Sequence, residues 1–233
     1  MWTPQLQAFA TVRRVVAIDL PGHGRSTAHP GEYSLDDLGA DMLAIADRAG
    51  LSRFDICGVS LGGLLGLWLT INAPDRVQAL IASNTAARVG SRELWAARIR
   101  AVVDQGMAEI RPGVLARFFT PNFGQRRPEV LRQVEETFMS VDPVGYIGCC
   151  AALRDSDLSA AIPAIACPTL IMAGEEDQAT PPDQAEWLHR QILHSRLEVI
   201  LHAAHLANLE QSETFTRLAM NFLRSSGDVP GLA

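Results

Sequence analysis

Short apolar runs rich in β-branched residues alternate along this chain with segments of helical period, and that alternation leaves few folds open. The runs are Arg14 to Ile18, Phe54 to Val59, Val77 to Ala82, Thr169 to Met172 and Leu197 to Leu201. Each is closed by a polar or glycine-rich turn and reads as a strand. The helical segments are Leu35 to Ala49, with Ser34 and Asp37 as a capping box, then Leu61 to Ile71, Pro182 to Leu193 and Ser212 to Leu223. Strand alternating with helix means an α/β fold with a mostly parallel sheet flanked by helices on both faces.

The rhythm breaks between about Val89 and Ala160, where no strand-like run occurs and apolar residues recur at helical spacing around Pro112, Pro121, Pro128 and Pro143. This block reads as a helical cap insertion. The expected organisation is an α/β core in two parts, residues 1–88 and 161–233, with the cap at 89–160. A helical block between two strands of one sheet usually lies over the carboxyl ends of the strands, where open α/β sheets bind their ligands.

Composition narrows the chemistry. The 233 residues carry a net charge of -6, which argues against a nucleic-acid or anionic-membrane surface. All 20 basic residues are arginines, so Schiff-base chemistry, Ser-Lys dyads and a P-loop cradle fall away with the missing lysine. Cys57, Cys149, Cys150 and Cys167 sit in apolar surroundings without framework spacing, which suits neither disulfides nor zinc and fits a reducing cytosol. The first twenty residues lack the order of a signal peptide. The uncharged stretch between Asp55 and Asp75 is broken by glycines, so it reads as strand, turn and buried helix rather than a membrane span. The expected location is therefore cytoplasmic, with no membrane partner.

The chemistry concentrates at Gly58-Val59-Ser60-Leu61-Gly62, a G-x-S-x-G pattern with an apolar strand before it and a helix after it. A tight strand-to-helix turn would project Ser60 Oγ into the cleft, and flanking residues without a Cβ would let strand and helix approach. The Leu61 N–H, at the start of the helix, would face the oxyanion of a substrate carbonyl. Against this stands the bland reading, in which the glycines merely allow packing and Ser60 caps the helix. A serine hydroxyl needs a base and an orienting acid, and the chain supplies Asp177 and then His205, each just after a strand. Glu175 and Glu176 are rivals of Asp177, but the loop must turn before a carboxylate reaches the cleft. After Val77 to Ala82 come Ser83, Asn84 and Thr85, so that position offers no carboxylate. His202 reads as structural, His189 and His194 as helix-surface residues, and His23 as a packed turn histidine. No metal site is expected, because His202 and His205 alone give too few ligands.

These residues, together with Asp19-Leu20-Pro21-Gly22-His23-Gly24-Arg25-Ser26, resemble the α/β-hydrolase superfamily along essentially the whole chain. Within it, Arg117-Phe118-Phe119-Thr120-Pro121 and Gly145-Tyr146-Ile147-Gly148-Cys149-Cys150-Ala151-Ala152-Leu153-Arg154-Asp155 are similar to the 3-oxoadipate enol-lactonases. Met1-Trp2-Thr3-Pro4-Gln5-Leu6 and the segment from Ala203 to Gln211 add to the likeness. The resemblance implies hydrolysis of a cyclic enol ester, 3-oxoadipate enol-lactone, in aromatic-acid degradation, with no cofactor. It implies Ser60 as nucleophile, His205 as base, Asp177 as its orienting acid and Leu61 as oxyanion donor. The substrate would be a small anionic lactone, so Arg117 or Arg154 would hold its carboxylate and Phe118 would line the site. Each arginine has a structural alternative, Arg154 with Asp155 or Asp157 for instance.

Two alternatives stand beside this reading. One is a general carboxylesterase or other lactonase, since pocket shape decides substrate. The other is a catalytically impaired binding module on the same fold. It gains weight from one departure: family members place two edge strands, a central strand and a loop with a second oxyanion donor ahead of the Trp-x-Pro-Gln-Leu segment, and this chain begins at that segment. A gap is therefore expected beside the strand Phe54 to Val59, on the side facing Arg14 to Ile18. Loss of one oxyanion donor would cost on the order of a hundred- to a thousand-fold in rate. Either Met1 is an internal methionine of a longer, active protein, which the cost of an unfilled sheet favours, or the chain is a shortened product.

Overall fold

The computed structural model describes residues 1–226. In chain order the elements are α1 (Thr3–Ala10), α2 (Leu35–Arg48), β1 (Phe54–Val59), α3 (Leu61–Asn72) and β2 (Val77–Ser83). Five helices follow: α4 (Arg92–Gln105), α5 (Met107–Phe118), α6 (Phe123–Arg126), α7 (Pro128–Met139) and α8 (Pro143–Asp155). The chain then returns to β3 (Thr169–Gly174), α9 (Pro182–Gln191), β4 (Ser195–Ile200), α10 (Ala207–Glu210) and α11 (Ser212–Ser226).

The four strands form one parallel sheet in the order β1-β2-β3-β4. Alternation along the inner strands decides which helix lies where. Ala79 and Ile81 of β2 and Leu170 and Met172 of β3 face a core with Phe9, Phe215, Ala219 and Phe222, which belong to α1 and α11. The residues between them, Leu80, Ala82, Ile171 and Ala173, face Leu67 of α3 and Ala185 and Leu188 of α9. Period-2 side chains thus bury both faces of each inner strand, and these runs are apolar throughout for that reason.

The segment expected as the first strand, Arg14 to Ile18, is not one. It runs without regular structure, and Val16 is exposed. A strand exists only with a ladder partner, and among the described residues β1 ends the sheet on this side. The apolar run records a preference that no neighbour satisfies. Side chains tether it instead: Arg13 Nε donates to Asp55 Oδ2 at 2.8 Å and a guanidinium nitrogen of Arg14 to Ala49 O at 2.9 Å. Among the described residues β1, the strand that leads to Ser60, is thus an edge of the sheet, which agrees with the side expected to be open there. The strand expected on the far side of the gap is not formed. The helix α1 was not anticipated; Pro4 stands in its first turn, where a missing N–H costs nothing.

The helices α4 to α8 lie between β2 and β3 in sequence and pack into a layer of their own around Val102, Met107, Val114, Phe138 and Val141. Cys149, Ala152 and Leu153 of α8 join Leu61, Leu64 and Leu65 of α3, and that contact lays the layer against the helix following Ser60. Among the described residues no helix is long and apolar enough to cross a membrane.

Candidate active site

Parallel strands in register deliver their carboxyl ends to one edge of the sheet. Val59 pairs with Ser83, Met172 with Ser83, and Gly174 with Ile200. The next residues along the chain are Ser60, Asn84, the Asp177 loop and the His205 loop, so four distant segments meet at one end of the sheet.

Ser60 has φ 56° and ψ -119°, a left-handed backbone that a serine adopts only under constraint. The constraint is visible. The Ser60 N–H donates to Ser83 O at 3.0 Å, and Ser60 O accepts from Leu64 N at 2.9 Å and from Thr85 Oγ1 at 2.8 Å. Gly58 makes the turn possible, because a Cβ there would lie 2.1 Å from Gly62 O. Gly62, which the sequence pattern ranked with it, has nothing within 4 Å of a Cβ, so strand and helix do not meet there. The Ser60 side chain caps no N–H of α3, which removes the bland reading of the serine as a helix cap. The Leu61 N–H opens α3 and has no intrahelical acceptor.

Asp177 and His205 are buried, at 3% and 6% exposure, whereas Glu175 and Glu176 are exposed. The carboxylate of Asp177 accepts five hydrogen bonds. Oδ1 takes Ala179 N at 2.8 Å and Thr180 N at 3.1 Å, and Oδ2 takes Thr180 Oγ1 at 2.7 Å, Asn84 Nδ2 at 2.9 Å and His205 Nδ1 at 2.9 Å. Burial pushes this carboxyl up, but the hydrogen bonds from His205, Asn84 and Thr180 and the charge of His205 outweigh it and hold it below the ordinary aspartate value. An ionised carboxylate can only accept, so His205 Nδ1 carries a proton toward it, and Nε2 is the ring nitrogen left for another partner. The acid and base loops come this close because of Gly174, where a Cβ would lie 2.3 Å from Ala204 O.

Asn84 is the residue that the sequence reading passed over as the position without a carboxylate. Its φ is 46°, a region that asparagine tolerates better than most residues. It spans the site: Nδ2 reaches Ala204 O at 3.2 Å as well as Asp177, and Oδ1 accepts from Ser83 Oγ at 2.7 Å. An asparagine directly after a strand was the available signal.

The other expected residues separate. Phe118, at the end of α5, lies nearly parallel to the His205 ring at 6.3 Å between centroids. Arg117 is exposed on the same helix. Arg154 is committed elsewhere, to both oxygens of Glu32 at 2.8 and 2.7 Å and to Asp155 at 3.0 and 2.6 Å, so its structural role is the one visible. His23 hydrogen-bonds through Nδ1 to Pro21 O in its own turn. His202 takes φ 54° and donates its N–H to Glu175 at 3.1 Å. With Glu175 and Glu176 it forms an exposed group whose ligand atoms lie within 4.8 Å of one another, apart from His205.

Comparison with known proteins agrees with this fold. The family description "alpha/beta hydrolase fold" matches residues 1–212. Among curated relatives, 3-oxoadipate enol-lactonase 2 of Acinetobacter baylyi is 36% identical over 215 residues, covering 92% of this chain and 80% of the relative. Its namesake, enol-lactonase 1 of the same organism, is 33% identical over 225 residues, covering 97% and 84%. The crystal structure of an enol-lactonase from Burkholderia xenovorans superposes with a TM-score of 0.94 at 35% identity, covering 96% of this chain and 85% of that one. Fold, site geometry and these likenesses together make the chain a member of the α/β-hydrolase family, similar to the 3-oxoadipate enol-lactonases.

Proposed function

We propose that this protein hydrolyses 3-oxoadipate enol-lactone to 3-oxoadipate with Ser60 as nucleophile. The observation that carries the chemistry is the buried, ionised Asp177 bonded to His205 Nδ1, on the same sheet edge as an uncapped serine at a strained turn. The likeness to enol-lactonases supplies the substrate.

In this mechanism Ser60 Oγ attacks the lactone carbonyl while His205 Nε2 takes its proton. The tetrahedral oxyanion forms beside the Leu61 N–H. The bond from the carbonyl carbon to the ring oxygen then breaks. The enolate oxygen, still joined to the acyl group through the opened ring's carbon chain, takes the proton from His205 Nε2 and tautomerises to the ketone, which leaves His205 neutral for the next step. Water, deprotonated by His205, attacks the acyl group on Ser60 and frees the new carboxylate. Asp177 stays ionised throughout and stabilises the imidazolium. Ser60 and His205 are not hydrogen-bonded to one another in this structure, and catalytic contacts of this kind commonly tighten only with substrate bound.

The substrate carries a carboxylate, and the cap offers cations for it. Arg117 remains one candidate. Arg98 of α4 is a second: it is half-buried, sits over the Trp95 ring at 5.1 Å and lies beside Tyr146, whose hydroxyl burial pushes up while the Arg98 charge opposes. Tyr146 packs edge-on against Phe138, and Phe138 against Phe118, which leads from Arg98 to the ring on His205. A guanidinium at such a place suits a carboxylate held at two points. Turnover of the enol-lactone against simple aryl esters tests the assignment. Preference for the lactone, with KM raised about tenfold or more by Arg98→Ala or Arg117→Ala, supports it; equal or better turnover of aryl esters points to a general esterase.

A further inference from the structure

Glu210 is a buried carboxylate for which the catalytic reading has no task. It closes α10, five residues after His205, and is 8% exposed. The donors that reach it are neutral. The Thr120 N–H lies 3.0 Å from Oε1 and 3.2 Å from Oε2, the Thr120 hydroxyl donates to Oε1, and the Ala204 N–H lies 2.9 Å from Oε2. Burying a carboxylate is costly unless its oxygens are well supplied with donors. It is also acceptor-only on both oxygens, and no neutral side chain offers as many lone pairs to converging donors.

Those donors come from two places far apart in sequence. Thr120 follows α5 of the cap, and Ala204 immediately precedes His205. A second bond runs alongside, from the Leu206 N–H to Phe118 O at 2.9 Å. Both chain neighbours of His205 are thus tied to residues 118–120, directly or through Glu210. Between the two ties the Phe118 ring lies 18° from parallel to the imidazole.

We infer that Glu210 is a positioning residue that clasps the cap segment 118–120 to the loop carrying His205, so that Phe118 stays on the imidazole and fixes its plane. The inference rests on His205 being the base. It also makes the cap and the base one mechanical unit: a cap displaced from the sheet edge takes the catalytic angle of His205 with it. Misplacing a catalytic group lowers the chemical step more than ground-state binding.

The test uses the full chain and two conservative variants. Glu210→Gln keeps the shape but turns two N–H donors toward groups that themselves donate, and Thr120→Val removes the hydroxyl alone. Readouts are kcat and KM on the enol-lactone, and the low-field proton resonance of His205 Nδ1 bonded to Asp177. Glu210→Gln is expected to lower kcat about ten- to a hundred-fold with KM within about threefold, and to shift or broaden the resonance. Thr120→Val is expected to do the same to a smaller extent, Thr120→Ser to restore both readouts, and the double variant to be no worse than Glu210→Gln. Unchanged kcat, a loss in kcat with an unaltered resonance, or multiplicative losses in the double variant would overturn the inference. If Glu210→Gln does not fold, the Thr120 pair decides by the same criteria. Ser60→Ala separates the two levels: turnover surviving in it sinks the catalytic reading, while the resonance still reports on the clasp.

Discussion

The two halves of the site are built in opposite ways. Asp177 is enclosed, takes five hydrogen bonds and holds His205 in one tautomer. Ser60 has its backbone fastened by Ser83, Leu64 and Thr85 while its hydroxyl caps nothing, and it directly follows β1, an edge strand of the sheet. The difference fits the roles proposed for the two groups. A charge that persists through a reaction is best solvated in advance by fixed dipoles, whereas a nucleophile must reach substrate and is best fixed through its main chain. Rigidity in this site therefore comes from side chains on the acid side and from backbone on the nucleophile side.

Breaking the acid side should cost most. Asp177→Asn would let Nδ1 become an acceptor and place the proton on Nε2, so kcat should fall by about 10⁴ with the fold kept, measured by turnover beside thermal unfolding. Asn84→Ala removes one donor to the charged oxygen, a loss of about 1.5–3 kcal/mol. That corresponds to roughly a ten- to hundred-fold fall in kcat/KM, against little change in KM.

The nucleophile side should respond through its backbone. Gly58→Ala forces a Cβ to within 2.1 Å of Gly62 O and should destabilise the protein by at least about 1–3 kcal/mol, read as a lower unfolding midpoint. Gly62→Ala meets nothing within 4 Å and should be neutral or stabilising by up to about 1 kcal/mol, because alanine favours the helix. Equal effects of the two would break the account of the turn.

Acid pH sharpens the same comparison. The depressed carboxyl of Asp177 contributes stability that is full above the unfolded aspartate value, about 3.9, and is lost as pH falls through its lower folded value. The difference in unfolding midpoint between the native chain and Asp177→Asn should therefore persist at pH 5 and shrink below about pH 3.5. The smallest effect belongs to the cap. Burial pushes the thiols of Cys149 and Cys150 up to about 12, so neither should react with iodoacetamide at pH 8 until the chain is unfolded, as mass spectrometry would show.

The sequence made some of this legible and hid the rest for physical reasons. Inner strands β2 and β3 are buried on both faces and read as apolar runs, and the strand-turn-helix around Ser60 is a local event set by glycines. Asp177 was separable from Glu175 and Glu176 because only the residue past the turn goes inward. Arg14 to Ile18 misled because β-branched residues announce a preference and not a partner, and the partner is what makes a strand. Asn84 was set aside because its position offers no carboxylate, and its contact is with a carboxylate 93 positions away. Glu210 and Arg98 stayed unnoticed because their surroundings are assembled by tertiary packing of the cap, which helical periodicity does not specify.

The most direct test of the central claim is hydrolysis of 3-oxoadipate enol-lactone by the purified 233-residue chain beside Ser60→Ala. The account predicts turnover by the native chain, labelling of Ser60 by a fluorophosphonate, and loss of at least about a thousandfold in the variant. A properly folded native chain that neither turns over the lactone nor takes the label, or a Ser60→Ala variant that turns over as fast as the native chain, would contradict it.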